Sequence, residues 1–153
     1  MSDVTSSPPA SPASPATVLV VDDAPLNRQV RSRAIGPLGH AVVEAGHGLE
    51  AIDALGQHRI DVVLTDIEMP EMDGYGLLEH RATDDRLKAI PFIVISGVDE
   101  MASIIKCIGL GAEDYLPKPF DPVLLHARLG ASLDRKRITD VLHQLNEHLA
   151  ERV

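Results

Sequence analysis

The chain has little of what would mark it as an extracellular or membrane protein. It contains one cysteine, Cys107, so it cannot form an intramolecular disulfide, which agrees with a reducing cytoplasm. No apolar run approaches the ~20 residues that a membrane-spanning helix needs. The N-terminus lacks the basic flank and the apolar core of a secretion signal. We therefore expect a cytoplasmic protein with no membrane segment.

Positive charge is also scarce. The 153 residues include 14 Lys and Arg against 23 Asp and Glu, a formal net charge of -9. A nucleic-acid-binding protein usually presents a basic face, so we expect no direct binding to nucleic acid. Hydrophobic residues make up 44% and charged residues 24% of the chain, which is ordinary for a globular domain with a substantial core.

The chain divides by composition into a leader, a domain and an extension. Residues 1–16 hold four prolines among Ser and Ala, and such a segment has little to bury, so it is predicted to be disordered. The folded domain is predicted over residues 17–134. Residues 135–153 are predicted to be a helical extension.

Short apolar segments alternate with helical patterns through the domain. The strands are predicted at residues 18–21, 41–45, 61–65, 92–95 and 114–116. Helices are predicted at residues 25–38, at the segment carrying Leu49, Ile52 and Leu55, at residues 74–83 and 99–108, and from Asp121-Pro122 onward. Strands separated by helices indicate a parallel sheet that is covered on both faces. The predicted fold is α/β: a flavodoxin-like, doubly wound sheet of five parallel strands in the order 2-1-3-4-5, with an extended C-terminal helix.

Acidic residues follow two of these strands. Asp22 and Asp23 end the first strand and Asp66 ends the third, and the predicted strand order brings those two ends together. Taken alone, each acid could simply cap a helix or a turn. Together, each pair at about 4 Å would repel by roughly 4 kcal/mol at an effective dielectric constant near 20. The cluster must therefore bind protons or a cation, and carboxylate oxygens suit Mg²⁺.

The fourth and fifth strands end in a hydroxyl and an ammonium group. Ser96 and Lys118 reach the same edge of the sheet, where with a metal-bound carboxylate they would form a place for a phosphoryl group. Considered singly, Ser96 could be a turn residue and Lys118 a solvated surface charge. However, Lys118 lies between Pro117 and Pro119, an unusual setting for a freely moving lysine.

These residues together resemble the response-regulator receiver domains of two-component signalling, over about residues 17–134. The spacings typical of that family are 43 residues from Asp23 to Asp66, 30 from Asp66 to Ser96 and 22 from Ser96 to Lys118. The motifs that carry the resemblance are Val20-Val21-Asp22-Asp23, Asp66 to Gly74, Val94-Ile95-Ser96 and Gly111 to Phe120.

The resemblance implies a role for each acidic residue. Asp66 would be the phosphoacceptor, taking a phosphoryl group from a histidine kinase or a phosphotransfer protein in a Mg²⁺-dependent reaction. Asp23 would bind Mg²⁺ directly, Asp22 directly or through water, and Glu68 through its backbone carbonyl. Lys118 would pair with the phosphoryl oxygens. The domain would not be an enzyme beyond its own phosphotransfer and dephosphorylation.

The resemblance also implies a switch. Ser96 would turn toward the phosphoryl group and Tyr115 would swing inward, which alters the face formed by the fourth helix, fifth strand and fifth helix. The Lys118-Pro119 peptide bond would be cis. An alternative for Tyr115 is an edge aromatic residue that packs on the sheet.

Two other functions are considered. A Mg²⁺-dependent phosphatase of the haloacid-dehalogenase type also uses an Asp after a strand, but it needs a second Asp two positions later, where this chain has Ala24 or Glu68. A receiver-like interaction domain without phosphorylation is the other alternative. The acid cluster with Ser96 and Lys118 argues against that function.

The last helix is predicted to run on beyond the domain. Ile138, Leu142, Leu145 and Leu149 form an apolar stripe, and no Gly or Pro interrupts residues 131–153. A helix from Asp121 to about Glu151 would be roughly 45 Å long. We expect a homodimer, formed either through a coiled coil of this helix with its copy or through the face of the fourth helix, fifth strand and fifth helix. We also expect this helix to couple the receiver to an output domain. The chain resembles receivers that precede cyclase, diguanylate cyclase or phosphatase domains. The alternative is a helix that packs back onto its own domain.

Overall fold

The computed structural model describes residues 15–97, 101–119 and 121–151. The predicted leader falls almost entirely outside these ranges, so its disorder stays a prediction. No helix among the described residues is long and apolar enough to cross a membrane.

Strands and helices alternate along the chain, as the hydrophobic pattern predicts. The strands are β1 Thr17–Val21, β2 Ala41–Ala45, β3 Val62–Asp66, β4 Phe92–Gly97 and β5 Asp114–Lys118. The longer helices are α1 Pro25–Ile35, α2 Gly48–Gln57, α3 Gly74–Ala82, α4 Met101–Gly109 and α5 Pro122–Glu151. All four strand pairings are parallel, and the order is β2-β1-β3-β4-β5. The predicted α/β fold and strand order are confirmed.

The structure differs from the predicted elements at two places. Helix α1 ends at Ile35 and is followed by a 3-10 turn at Gly36–Leu38, because Pro37 cannot continue the α-helical hydrogen bonds. The segment after α3, for which the sequence pattern predicts no helix or strand, contains a one-turn helix, Asp85–Lys88, whose N-cap is Asp84. The Asp84 carboxylate accepts a hydrogen bond from the Arg86 N–H, which explains how so polar a segment becomes helical.

The helices cover both faces of the sheet with two separate cores. Ile35 of α1 and Leu125, Leu129 and Leu133 of α5 pack on one face. Helices α2, α3 and α4 pack on the other face, around Phe92. The central strands β1, β3 and β4 are buried on both sides, so their apolar side chains show no alternation.

Helix α1 leaves some of its large apolar residues exposed. Leu26 is 70% exposed and Val30 is 49% exposed. The buried residues of this helix are Arg31 and Ile35. The spacing of apolar residues therefore predicts only part of the buried face of α1, because an arginine occupies the rest of it.

Helix α5 runs unbroken for 30 residues. The Asp121 carboxylate accepts a hydrogen bond from the Val123 N–H and caps its start. Its last residue in the core is Leu133, and every residue from Val141 to Leu149 is exposed. The alternative in which this segment packs back onto its own domain is therefore not what the structure shows. The predicted boundary at residue 134 stays a prediction.

The loop after β3 is held by a glycine with no room for a side chain. The Gly74 N–H donates to the Ile67 carbonyl oxygen at 2.6 Å. A Cβ atom on Gly74 would lie 2.8 Å from the Asp66 carbonyl oxygen and 2.9 Å from the Ile67 Cα. Since both are backbone atoms, they cannot rotate away.

We predict that Gly74→Ala lowers the free energy of unfolding by about 1–3 kcal/mol, because the new methyl group meets backbone. The matched control is Gly130→Ala in α5, where a Cβ meets nothing within 4 Å. Replacing that helical glycine should leave stability unchanged or raise it by up to about 1 kcal/mol. Urea unfolding of both variants measures the difference, and equal stabilities would contradict the prediction.

Candidate functional site

The parallel register gathers polar residues at the carboxyl edge of the sheet. Val21 pairs with Thr65, so Asp22 follows β1 beside Asp66, the last residue of β3. Asp66 pairs with Ile95, which places Ser96 next along β4. Gly97 in turn pairs with Lys118 at the end of β5.

The predicted acidic cluster forms. Asp22, Asp23 and Asp66 each offer a carboxylate oxygen, and these oxygens all lie within 4.8 Å of one another. Asp22 is completely buried and Asp66 is 8% exposed, whereas Asp23 is exposed. Three hard oxygen ligands with one open side fit a small divalent cation that keeps several waters, as Mg²⁺ does.

The Lys118 ammonium forms an ion pair with both carboxylate oxygens of Asp66. Its Nζ lies 3.1 Å from both Oδ1 and Oδ2 of Asp66. Oδ1 also accepts the Ile67 N–H at 2.8 Å. The Lys118–Pro119 peptide bond is cis, as the resemblance implies.

Opposing effects act on the ionisation of Asp66. Burial raises the pKa of Asp66 above its ordinary value of 3.8, and the nearby Asp22 raises it further. The hydrogen bond and the charge of Lys118 lower this pKa, as does the Ile67 N–H, but burial is the larger effect. The ionised form of Asp66 is therefore destabilised in the folded protein. Binding of a cation, or protonation of the carboxylate, would remove this destabilisation.

The cluster opens into a shallow pocket of about 480 Å³. Glu68, which follows Asp66 by two residues, is exposed. The residues that line the pocket are Asp23, Asp66, Glu68, Met69, Pro70 and Lys118. A phosphoryl group brought by a partner could therefore reach Asp66 from solvent.

A buried arginine belongs to the site, although the sequence pattern does not reveal it. The Arg31 side chain is 5% exposed, and its Nη1 donates to Oδ2 of Asp22. The Ala24 N–H donates to Oδ1 of Asp22 at 2.8 Å, and the Asn27 amide lies 3.4–3.5 Å from the two oxygens. An arginine on a helix ordinarily points to solvent. The only sequence signal for this ion pair is that Arg31 follows Asp22 by nine residues, on the helix that comes directly after it.

The two residues predicted to act as a switch lie on β4 and β5. Ser96 is 1% exposed at the end of β4. Tyr115 is half-buried and packs against the core that lies on the same face of the sheet as α2, α3 and α4, while the Arg128 guanidinium lies 5.8 Å from its ring centre. Arg128 also binds the Asp114 carboxylate at 2.9 and 3.0 Å.

Comparison with known proteins identifies the family. The sequence model of the response regulator receiver domain matches residues 18–130. The chain belongs to this family. Receiver domains are signalling domains, so the haloacid-dehalogenase alternative loses its support.

Two relatives and one solved structure illustrate the likeness. The receiver is 37% identical over 114 residues to the chemotaxis protein CheY1 of Helicobacter pylori, covering 73% of this chain and 92% of that protein. It is 38% identical over 118 residues to the probable transcriptional regulator ycf27 of Guillardia theta, covering 77% of this chain and 45% of that protein. A putative response regulator from Chloroflexus aurantiacus superposes with a TM-score of 0.76 at 28% identity, covering 79% and 99% of the two chains.

The receiver spans about half the length of the first relatives it matches, 45% and 46%. The receiver-domain likeness therefore concerns one part of those proteins, and their other activities are not carried over by it.

We predict that Asp66→Asn makes the metal-free receiver more stable than wild type at neutral pH. The raised pKa means that the folded protein binds this proton more tightly than the unfolded chain does. The contribution of Asp66 to stability is therefore fully present below pH 3.8 and is lost as the pH rises through the folded-state pKa. The Asn variant has no such loss.

Urea unfolding with a chelator present, from below pH 3.8 to neutral pH, measures the difference in free energy of unfolding between wild type and Asp66→Asn. The control is Asp53→Asn, which removes an exposed carboxylate of α2. A variant that is less stable than wild type at neutral pH, by an amount that grows with pH, would contradict the sign.

Proposed function

We propose that Asp66 accepts a phosphoryl group from the phosphohistidine of a sensor histidine kinase or phosphotransfer protein. The observation that supports this most strongly is the position of the Lys118 Nζ, 3.1 Å from both oxygens of Asp66, beside two further carboxylates. A plain structural ion pair would not need Asp22 and Asp23 so close.

In the proposed step, one Asp66 oxygen forms a bond to phosphorus as the P–N bond of the partner's phosphohistidine breaks. The electron pair of that bond stays on the imidazole nitrogen. The Lys118 ammonium would form an ion pair with the phosphoryl oxygens as they approach Asp66. The Ser96 hydroxyl would donate a hydrogen bond to one of these oxygens. Self-catalysed phosphotransfer and dephosphorylation would be the limit of the domain's own chemistry.

The residues present fit Mg²⁺. The carboxylates of Asp23 and Asp66 and the backbone carbonyl of Glu68 would hold it, with Asp22 behind them. Bound Mg²⁺ would supply charge neutralisation for the phosphoryl oxygens. The exposed Asp23 leaves the side of the cluster that faces solvent free for water ligands.

Phosphorylation would then be read out through Ser96 and Tyr115. Once Ser96 turns toward the phosphoryl group, the half-buried Tyr115 would move inward, away from Arg128. This changes the face of α4, β5 and α5. Met101, Ile105 and Ile108 of α4 are exposed on the domain, so that face offers apolar surface to a partner.

The projecting part of α5 is proposed to form a homodimer with a second copy. Ile138, Leu142, Leu145 and Leu149 are each more than half exposed and repeat at coiled-coil spacing. The flanking positions are Thr139, Val141, Asn146 and His148. Because none of them carries a fixed charge, like-charge repulsion does not oppose pairing of two identical helices.

An output domain C-terminal to this helix is proposed, since relatives such as the ycf27 regulator are about twice as long as the matched region. We place the receiver in the cytoplasm, with no membrane segment and no direct contact with nucleic acid. The single cysteine, Cys107, supports a reducing compartment, and the net charge of -9 argues against a nucleic-acid partner.

Phosphorylation can be tested with acetyl phosphate and Mg²⁺, followed by intact mass. Wild type should gain the mass of one phosphoryl group, because Asp66 is the nucleophile. Asp66→Asn should gain none, and Asp53→Asn, which loses an exposed acid on α2, should behave as wild type. Equal uptake by Asp66→Asn and wild type would remove Asp66 from its role. No uptake by wild type, even from cognate phosphohistidine, would favour an interaction domain that works without phosphorylation.

Dimerisation can be tested by sedimentation equilibrium. Leu142→Asp places a charge in the middle of the exposed stripe, so it should weaken the dimer by on the order of tenfold or more. Gln144→Asp makes the same change in charge on the same helix, off the stripe, and should dimerise as wild type does. A wild-type chain that stays monomeric, or equal effects of the two variants, would exclude this interface.

A further inference from the structure

We infer that Arg31 is a built-in cation of the acidic site, which competes with Mg²⁺ for Asp22 and sets the receiver's affinity for the metal. This inference rests on the magnesium site proposed above. It concerns a residue that lies outside the motifs of the resemblance and that reaches the site only through the folding of α1.

Arg31 is placed as an interior charge. The residue is 4% exposed, and the hydrogen-bond partner of its guanidinium among the described residues is Asp22. Neighbouring charged residues of the same helix differ: Arg33 is exposed, and Arg28 reaches outward to Glu44 as well as to the Asp22 carbonyl oxygen. Arginine is almost never buried unless it is paired.

Arg31 leaves Asp22 little capacity for a metal. Oδ2 of Asp22 accepts from Arg31, Oδ1 accepts from the Ala24 N–H, and the Asn27 amide lies against both. Asp23 is exposed, and the Asp66 oxygens face the pocket with Lys118. Direct coordination by Asp22 would therefore require the loss of the arginine from its oxygen.

The charge of Arg31 also acts on the whole cluster. Arg31 and Lys118 together cancel two of the three negative charges before any metal arrives. Lys118 is 39% exposed at its side chain and can follow a phosphoryl group, but Arg31 is enclosed. A buried charge is screened less by solvent than an exposed one, so its repulsion of an incoming cation persists at physiological ionic strength.

A purely structural arginine would behave differently. If Arg31 only anchored α1 to the end of β1, its loss would lower stability and leave Mg²⁺ affinity unchanged. If Arg31 competes with the metal, its loss lowers stability without metal and tightens metal binding. The two roles therefore separate in one pair of measurements.

The experiment is calorimetric titration of the whole chain with MgCl₂ near neutral pH, in wild type and Arg31→Met. We expect the dissociation constant of Arg31→Met to be lower by on the order of tenfold. Arg33→Met removes the same charge from an exposed position on α1 and should stay within about twofold of wild type. Arg31→Lys keeps the charge and should also bind Mg²⁺ nearly as wild type does.

Thermal unfolding gives a second readout. Arg31→Met should melt at a lower temperature than wild type with chelator present, and Mg²⁺ should raise its melting temperature by more than it raises that of wild type. Unchanged or weaker Mg²⁺ binding by Arg31→Met would overturn the inference.

A double variant keeps the test open should Arg31→Met fail to fold. Asp22→Asn/Arg31→Met removes both buried charges, a replacement that is often tolerated. It should bind Mg²⁺ more tightly than Asp22→Asn alone, in which Arg31 still repels the metal. Equal affinities would overturn the inference. Failure of wild type to bind Mg²⁺ at millimolar concentration, or equal binding by Asp23→Asn, would instead overturn the proposed metal site.

Discussion

The structure depends on holding three carboxylates within 4.8 Å of one another at the end of a buried sheet. Repulsion between Asp22, Asp23 and Asp66 opposes folding unless positive charges offset it. The fold supplies two of them: Arg31 from α1, which is enclosed, and Lys118 from β5, which remains partly exposed. Burial still raises the pKa of Asp66, so the balance is incomplete without a further cation. A site that needs one more positive charge is suited to binding a metal and then a phosphoryl group.

The sheet provides the precision that this arrangement needs. Parallel strands end at one edge, and the register of β1, β3, β4 and β5 sets which side chains meet there. The loop after β3 is fixed by close packing, since the Gly74 N–H bonds to Ile67 and no side chain fits between them. Asp66 therefore stands on a closely packed backbone, while Ser96 lies on the adjacent strand β4 and Tyr115 on β5, the next strand beyond it.

Much of this could be predicted from the chain alone, and the exceptions have physical reasons. The alternation of apolar strands with helices predicts the sheet order, and the acids at the strand ends predict the cluster. The position of Arg31 escaped the pattern because hydrophobic periodicity treats arginine as a surface residue, and only a carboxylate nine residues earlier makes its burial possible. The same periodicity overstated the buried face of α1, where Leu26 and Val30 are exposed. The Asp85–Lys88 turn was missed because its stability comes from a cap and not from apolar spacing.

The central claim is that Asp66 accepts the phosphoryl group. A crystal structure of the chain with Mg²⁺ and beryllofluoride tests this claim most directly. Beryllofluoride should be bonded to an Asp66 oxygen, with Lys118 and Ser96 contacting its fluorines. The metal should be held by Asp23, Asp66 and the Glu68 carbonyl, while Asp22 keeps its bond to Arg31. Beryllofluoride bound elsewhere, or an Asp66 that keeps only its contact with Lys118 under saturating conditions, would contradict the proposed chemistry.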